Sequence, residues 1–217
     1  MEDKDSKNSN FLFNNSKQIL YKKGQLILRV EDAISGVYYI KKGYVRQFLI
    51  SKEGKELTTS IFKPLDIFPL FWIVVEDISR YNFEALTSVE VLRASREKIL
   101  EYLKNDPDFF LKLISRLINR LDAFNERIKY MVFNSAGEKV ASMLVLLADR
   151  FGKKKKEGIF IQVPLTHKDI ASLLGITRET VSMEMKKLEA KGIYVCRKHY
   201  ILVKKNNLLK KAAQLAL

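Results

Sequence analysis

Between residues 110 and 131 apolar side chains recur at alternating steps of four and three: Phe110, Ile114, Leu117, Leu121, Phe124, Ile128 and Met131. That is a heptad seam, and it predicts one long helix across 106–134. Asp106-Pro107 opens it, a capping residue followed by proline at the first helical position. Leu113 and Ile118 widen the stripe towards the β-rich part of the chain. The seam suits pairing with a second copy better than burial within one chain. Upstream the period changes. Gln25–Val30, Val37–Ile40, Val45–Ile50 and Leu57–Phe62 are short β-prone runs separated by Lys-Gly, Ser-Gly and Glu-Gly turn signals. They predict a small antiparallel barrel or sandwich within 17–105, followed by a short helix at Ser95–Leu103. Residues 1–16 are rich in Asn, Asp, Lys and Ser, which predicts a disordered tail.

Downstream, Ser135-x-x-Glu138 reads as a capping box opening a helix that runs to Phe151, with Asn134–Ser135 as the hinge before a C-terminal domain of residues 135–217. The stretch THKDIASLLGITRETVSMEMKKLEAKG (166–192) then reads as a helix-turn-helix. Thr166 and Asp169 have cap spacing, Ile170, Leu173 and Leu174 form an apolar stripe, and Ala171 is small where two helices cross. Gly175 supplies the left-handed residue that ends the first helix. Thr177 caps the second, whose Val181, Met185 and Leu188 face inward. Such a motif exists to lay its second helix, 177–190, in the DNA major groove. Arg178, Glu179, Ser182 and Met183 are left on the outer side as candidate base readers. Arg bonds guanine O6 and N7, Glu accepts from cytosine N4, and Met183 suits a thymine methyl. His167 and Lys186 are candidate phosphate contacts. IYVCRKHYILV (193–203) reads as a hairpin wing with Arg197 and Lys198 at its tip, also towards phosphate.

Charge sharpens this reading. Residues 138–217 hold 17 Lys and Arg against 7 Asp and Glu, a net +10 of the chain's +14. The basic excess therefore lies with the helix-turn-helix, as a double-stranded DNA partner requires. Lys153–Lys156 read as a basic loop attracting phosphate at long range. A 47% hydrophobic content is ample for cores. The single cysteine excludes an internal disulfide and fits a reducing cytoplasm. The start of the chain has no apolar leader segment, and the longest apolar run, Ile67 to Val75, is broken by Pro69; no membrane partner is expected. Cys196, His199 and His167 tempt a zinc reading, but a structural site wants four ligands, so no metal is expected.

The order of β-rich domain, long helix and winged helix resembles the Crp/Fnr family of bacterial transcription regulators along nearly the whole chain. The residues that carry it are Lys23-Gly24, GVYYIKKGYVRQF (36–48), EGKE (53–56), FKPLDIF (62–68), ALTSVEV (85–91), the heptad helix and LTHKDIASLLGITRETVS (165–182). The resemblance implies an α+β protein: an N-terminal double-stranded β-roll of cupin-like jelly-roll type, a dimerisation helix and a C-terminal winged helix-turn-helix. It implies a homodimer on a palindromic operator, a phosphate contact for Thr180, and RNA polymerase as a further partner.

The departures bear on the effector. Cyclic-nucleotide-binding members carry Gly-Glu followed by Arg-Ser/Thr-Ala; here Pro69-Leu70 stands at the Gly-Glu position. Ser79 stands where Arg is expected, with Arg80 one residue off, and a one-residue shift on a strand turns a side chain to the other face. Leu70 accepts no hydroxyl hydrogen bond and Pro69 offers no amide, so cyclic AMP is not expected. LFWIVV (70–75), including Trp72, makes the site apolar, either for a more apolar, unidentified small-molecule effector or simply to fill the old pocket. Arg120 and Arg127 on the long helix are candidate clamps for an anionic effector, against the plainer reading of a solvated helix face. The cysteines of the iron–sulfur branch and the His or Cys ligands of the haem branch are absent from the sensor half. Family members usually carry Arg where Met183 stands, so a related but altered operator is expected. Two other readings stay open: a constitutive regulator set by its own abundance, and a β-roll that binds a small molecule or protein while the winged helix serves assembly. An enzyme is not expected.

Overall fold

The computed structural model describes Phe13 and residues 16–75 and 77–213, which divide into two compact units. The first unit holds residues up to 49 and 59–118; the second holds 50–58 and 119 onwards. The first eight strands are β1 (Lys17–Tyr21), β2 (Leu26–Leu28), β3 (Val37–Lys42), β4 (Val45–Ile50), β5 (Glu56–Phe62), β6 (Ile67–Phe68), β7 (Asn82–Ala85) and β8 (Val89–Ala94), all in the first unit except the last residue of β4 and the first three of β5. They form two four-stranded sheets in the orders β1-β8-β3-β6 and β2-β7-β4-β5. Helices α1 (Phe71–Val74) and α2 (Arg96–Asn105) and the start of α3 (Pro107–Phe133) complete the unit.

Alternation along β3 shows why its VYYI run is apolar throughout. Tyr38 and Ile40 enter the layer between the two sheets, together with Phe62, Phe68, Phe83, Val89 and Val91. Val37 and Tyr39 enter a second cluster on the helix side with Ile67, Ile73, Ala94, Ile99 and Phe109. A strand buried on both faces loses its period-two signal. Four aromatic rings fill the inner layer: Phe68 stacks on Phe83 at 5.1 Å and on Tyr38 at 5.3 Å, and Phe62 leans on both phenylalanines. The β3–β4 turn needs Gly43, with φ of 86°, because a Cβ there would meet Ser88 O at 2.2 Å. Phe13 corrects the expected tail: it is buried and stacks on Tyr39 at 5.2 Å. The rest of residues 1–15 lies outside the described residues.

In the second unit, α4 (Ala136–Phe151) starts at the Ser135/Glu138 capping box. The hairpin of β9 (Gly152–Lys155) and β10 (Gly158–Ile161) follows, then α5 (His167–Leu174) and α6 (Arg178–Ala190). β11 (Tyr194–Arg197), β12 (Tyr200–Val203) and α7 (Asn206–Ala212) end the described chain. The sheet order is β11-β12-β10-β9. The basic loop expected at Lys153–Lys156 is instead mostly strand: Lys153, Lys154 and Lys155 lie on edge strand β9, paired with Phe160, Ile159 and Gly158. Lysines on an edge strand discourage pairing with another chain. The missed signal was GIFI, too short a run to read alone.

Residues 50–58 join this unit through buried hydroxyls. Ser172 Oγ accepts from the Thr58 amide at 3.0 Å and lies 2.8 Å from Thr58 Oγ1. Arg127 donates to the Thr58 carbonyl at 2.8 Å. Among the described residues no helix is long and apolar enough to cross a membrane.

Candidate nucleic-acid interface

Helix α5 is held at both ends. Thr166 and Asp169 form a capping box, and Gly175 closes the helix at φ 65° and ψ 29°, the left-handed geometry expected of it. Ile170, Ala171, Leu173 and Leu174 are buried, as are Val181, Met185 and Leu188 on α6. The two helices are thus fixed by their apolar sides. Thr177 caps α6 by accepting from the Thr180 amide at 3.2 Å.

The opposite side of α6 carries Arg178, Glu179 and Met183, all exposed, with Lys186 exposed one turn on. Met183 is 51% exposed, so its side chain is available to a partner laid against this side of α6. Ser182 differs from these three: it is half-buried, and its Oγ lies 2.8 Å from His167 Nδ1. Thr180 is also half-buried, its hydroxyl 2.9 Å from that of Thr177. Burial pushes the His167 imidazole below its ordinary range; Arg178, His199 and Lys186 act the same way, and Glu189 opposes them.

The wing turns through Lys198 and His199, with φ of 50° and 69° between the paired Arg197 and Tyr200. Two consecutive left-handed residues are the signature of a type I′ hairpin, which glycine and asparagine favour; here a lysine and a histidine occupy it. The His199 carbonyl accepts from the Leu165 amide at 2.9 Å, tying the wing tip to the segment that leads into α5. Lys198 is exposed; the Arg197 side chain lies outside the described residues. Cys196 sits half-buried on β11, and burial raises its thiol pKa, which disfavours the thiolate a metal would need. Among the described residues no cluster of three or more His, Cys, Asp or Glu is placed to hold a metal.

On α3 the seam is open to solvent. Phe110, Ile114, Leu117, Leu121, Phe124 and Ile128 are each 36–58% exposed, and Met131 is half-buried. Leu113 is buried as expected, whereas Ile118 is 54% exposed. Ile118 therefore extends the open stripe instead of packing inward.

The candidate effector residues are otherwise engaged. Pro69 is buried, following a cis peptide from Phe68, and Leu70 and Trp72 pack against the helix-side cluster of the first unit. Ser79 is buried and donates to the Tyr81 carbonyl at 2.7 Å. Arg80 is exposed and pairs with Asp77 at 2.9 Å. Arg120 is half-buried. Arg127 is only 8% exposed, and burial lowers its pKa to about 10; with its bond to Thr58 it is a structural tie, not the solvated helix face considered from sequence. None of these residues lines the open depression of about 580 Å³ bounded by Leu20, Tyr21, Gly24–Arg29 and Asp32.

Comparison with known proteins bears on both units. Residues 18–106 match the model of the cyclic nucleotide-binding domain, and residues 138–212 that of the Crp-like helix-turn-helix domain. The global nitrogen regulator of Synechocystis sp. is 30% identical over 153 residues, covering 70% of this chain and 68% of that protein. The cAMP-activated global transcriptional regulator CRP of Salmonella typhimurium is 28% identical over 173 residues, covering 79% and 81%. Among solved structures, a mutant of CooA from Carboxydothermus hydrogenoformans has a TM-score of 0.78 at 25% identity, over 94% of this chain and 90% of that one.

Proposed function

The chain belongs to the Crp/Fnr family of helix-turn-helix transcription regulators, and from that premise we propose that it binds a palindromic operator as a homodimer without answering to cyclic AMP. The observation that carries the reading is the outer side of α6. Arg178, Glu179 and Met183 stand in solvent at the start of a capped helix whose other side is buried. A helix N-terminus in the major groove puts these side chains on base edges, Arg178 towards guanine and Glu179 towards cytosine. Thr180, Lys186 and Lys198 supply phosphate contacts beside it. The open seam of α3 supports pairing: two copies joined there place two recognition helices about 34 Å apart, one helical turn of DNA. RNA polymerase is then the protein whose access or recruitment the bound dimer alters, and no catalytic step belongs to the function.

Against cyclic AMP stand Pro69, which offers no amide to a cyclic phosphate, and Leu70, which offers no carboxylate to its ribose. Leu70 and Trp72 spend their apolar surface inside the first unit's own cluster.

The test is selection of fragmented genomic DNA by the purified protein, without added ligand, at near-physiological salt. One palindromic motif with G·C-containing half-sites is expected, and Arg178→Ala abolishes its recovery. Unspecific DNA alone, or a motif unaffected by Arg178→Ala, rejects the reading. Cyclic AMP leaves both the motif and the thermal midpoint unchanged.

A further inference from the structure

Of the side chains expected to read bases, Ser182 is the one that arrives already bonded. Its hydroxyl meets His167 Nδ1 at 2.8 Å, joining the first residue of α5 to the outer side of α6. A hydroxyl has a single proton. When that proton goes to Nδ1, the oxygen presents only lone pairs to whatever lies beyond it. When Nδ1 carries a proton of its own, the hydroxyl proton turns outward. The two states differ in what they accept and reject: an acceptor matches the amino groups of adenine and cytosine and rejects guanine and thymine, whereas a donor matches guanine, the thymine carbonyl and adenine N7.

We propose that His167 is a positioning residue for operator specificity, holding the Ser182 hydroxyl as an acceptor so that the base it faces is adenine or cytosine. The proposal rests on the DNA-reading function above. Two features favour this polarity. The surroundings disfavour the imidazolium: burial comes first, then Arg178 and Lys186 of α6 and His199 of the wing, against Glu189 alone. The far nitrogen, Nε2, is the other half of the argument. The phosphate contact expected of His167 from the sequence would take an Nε2–H and leave Nδ1 as the acceptor.

The experiment compares half-site motifs selected from randomised operators by the wild type, His167→Ala, Ser182→Ala and the double variant, with far-UV circular dichroism confirming that each is folded. In the wild type one column prefers adenine or cytosine roughly three- to tenfold, the size of a single hydrogen bond. Ser182→Ala flattens that column. His167→Ala relaxes it, admitting guanine and thymine, while the columns read by Arg178 and Glu179 stay as they were. The double variant matches Ser182→Ala. His167→Phe, which keeps the ring's bulk without a nitrogen, replaces His167→Ala if loss of packing unfolds the latter. Identical motifs from the wild type and the His167 variants overturn the proposal. So does a Ser182-dependent column that prefers guanine or thymine, or a motif indifferent to Ser182→Ala. Failure of the wild type to select any motif is a different result: it rejects the DNA-reading function itself.

Discussion

Ser172→Ala tests how residues 50–58 are held. Ser172 and Thr58 are 7% and 2% exposed. The Ser172 hydroxyl serves three partners: the Thr58 amide at 3.0 Å, the Thr58 hydroxyl at 2.8 Å and the Glu56 carbonyl at 3.2 Å. Without it the Thr58 amide is left buried and unsatisfied, which costs about 1–3 kcal/mol. The Thr58 hydroxyl can rotate towards another acceptor, so its loss is set at about 1 kcal/mol. Alanine returns about 0.5 kcal/mol through its better helix propensity. The net expectation is a loss of about 1.5–3.5 kcal/mol, or a melting point lower by roughly 4–10 °C for a chain of this size. Urea unfolding followed by far-UV ellipticity measures it by linear extrapolation. Thr58→Val in the Ser172→Ala background is expected to cost about 1 kcal/mol less than in the wild type, because the stranded hydroxyl is then gone. A loss below about 0.5 kcal/mol for Ser172→Ala, or strict additivity of the two changes, refutes the hydrogen-bond reasoning.

Other expectations follow from the same geometry. Leu121→Glu at the open seam places two carboxylates face to face across a dimer axis. It weakens association roughly 100- to 10,000-fold, from two lost apolar burials, as read by sedimentation equilibrium, while the monomer keeps its melting point. Met183→Arg adds a guanine contact and brings one new G·C column into the selected motif, worth about 1–3 kcal/mol of discrimination. Replacing Lys198-His199 by Asn-Gly relieves two left-handed non-glycine residues and raises stability by about 1 kcal/mol in urea titrations. His167 is held below its ordinary range, so the unfolded chain binds that proton more readily than the folded one. Stability therefore falls as pH drops through about 6.5, and the fall is shallower in His167→Phe.

The parts legible from sequence were those with strong local grammar. The α3 heptads, the Ser135/Glu138 and Thr166/Asp169 boxes, and Gly175 each act within a turn or two of the chain, so spacing alone placed them. The strands at 45–50 and 57–62 were read from their turn signals, the second one residue short of its observed start. What sequence missed depends on distant partners. The strand at Lys153–Lys155 is defined by pairing with β10, and nothing in four consecutive basic and glycine residues announces it. Phe13 belongs to the core through residues far along the chain, Tyr39 and Ile99 among them. Ser182 was read as a base contact and His167 as a phosphate contact; their hydrogen bond spans fifteen positions and two helices, and no periodicity encodes it. Arg127 looked like a solvated or anion-clamping residue because its partner, the Thr58 carbonyl, lies 69 positions away.

That long reach also sets an order of assembly. The partners Thr58 and Ser172 are 114 positions apart, and a chain made from its N-terminus exposes the first long before the second exists. The residues of the first unit end at 118, so all of them have been made before the winged helix is synthesised. Thr58 waits through that interval without its Ser172 partner. The hydroxyl pair is thus among the last bonds to close, and the cost of closing so large a loop falls late in folding. A change there alters the rate at which the finished protein comes apart more than the rate at which it forms.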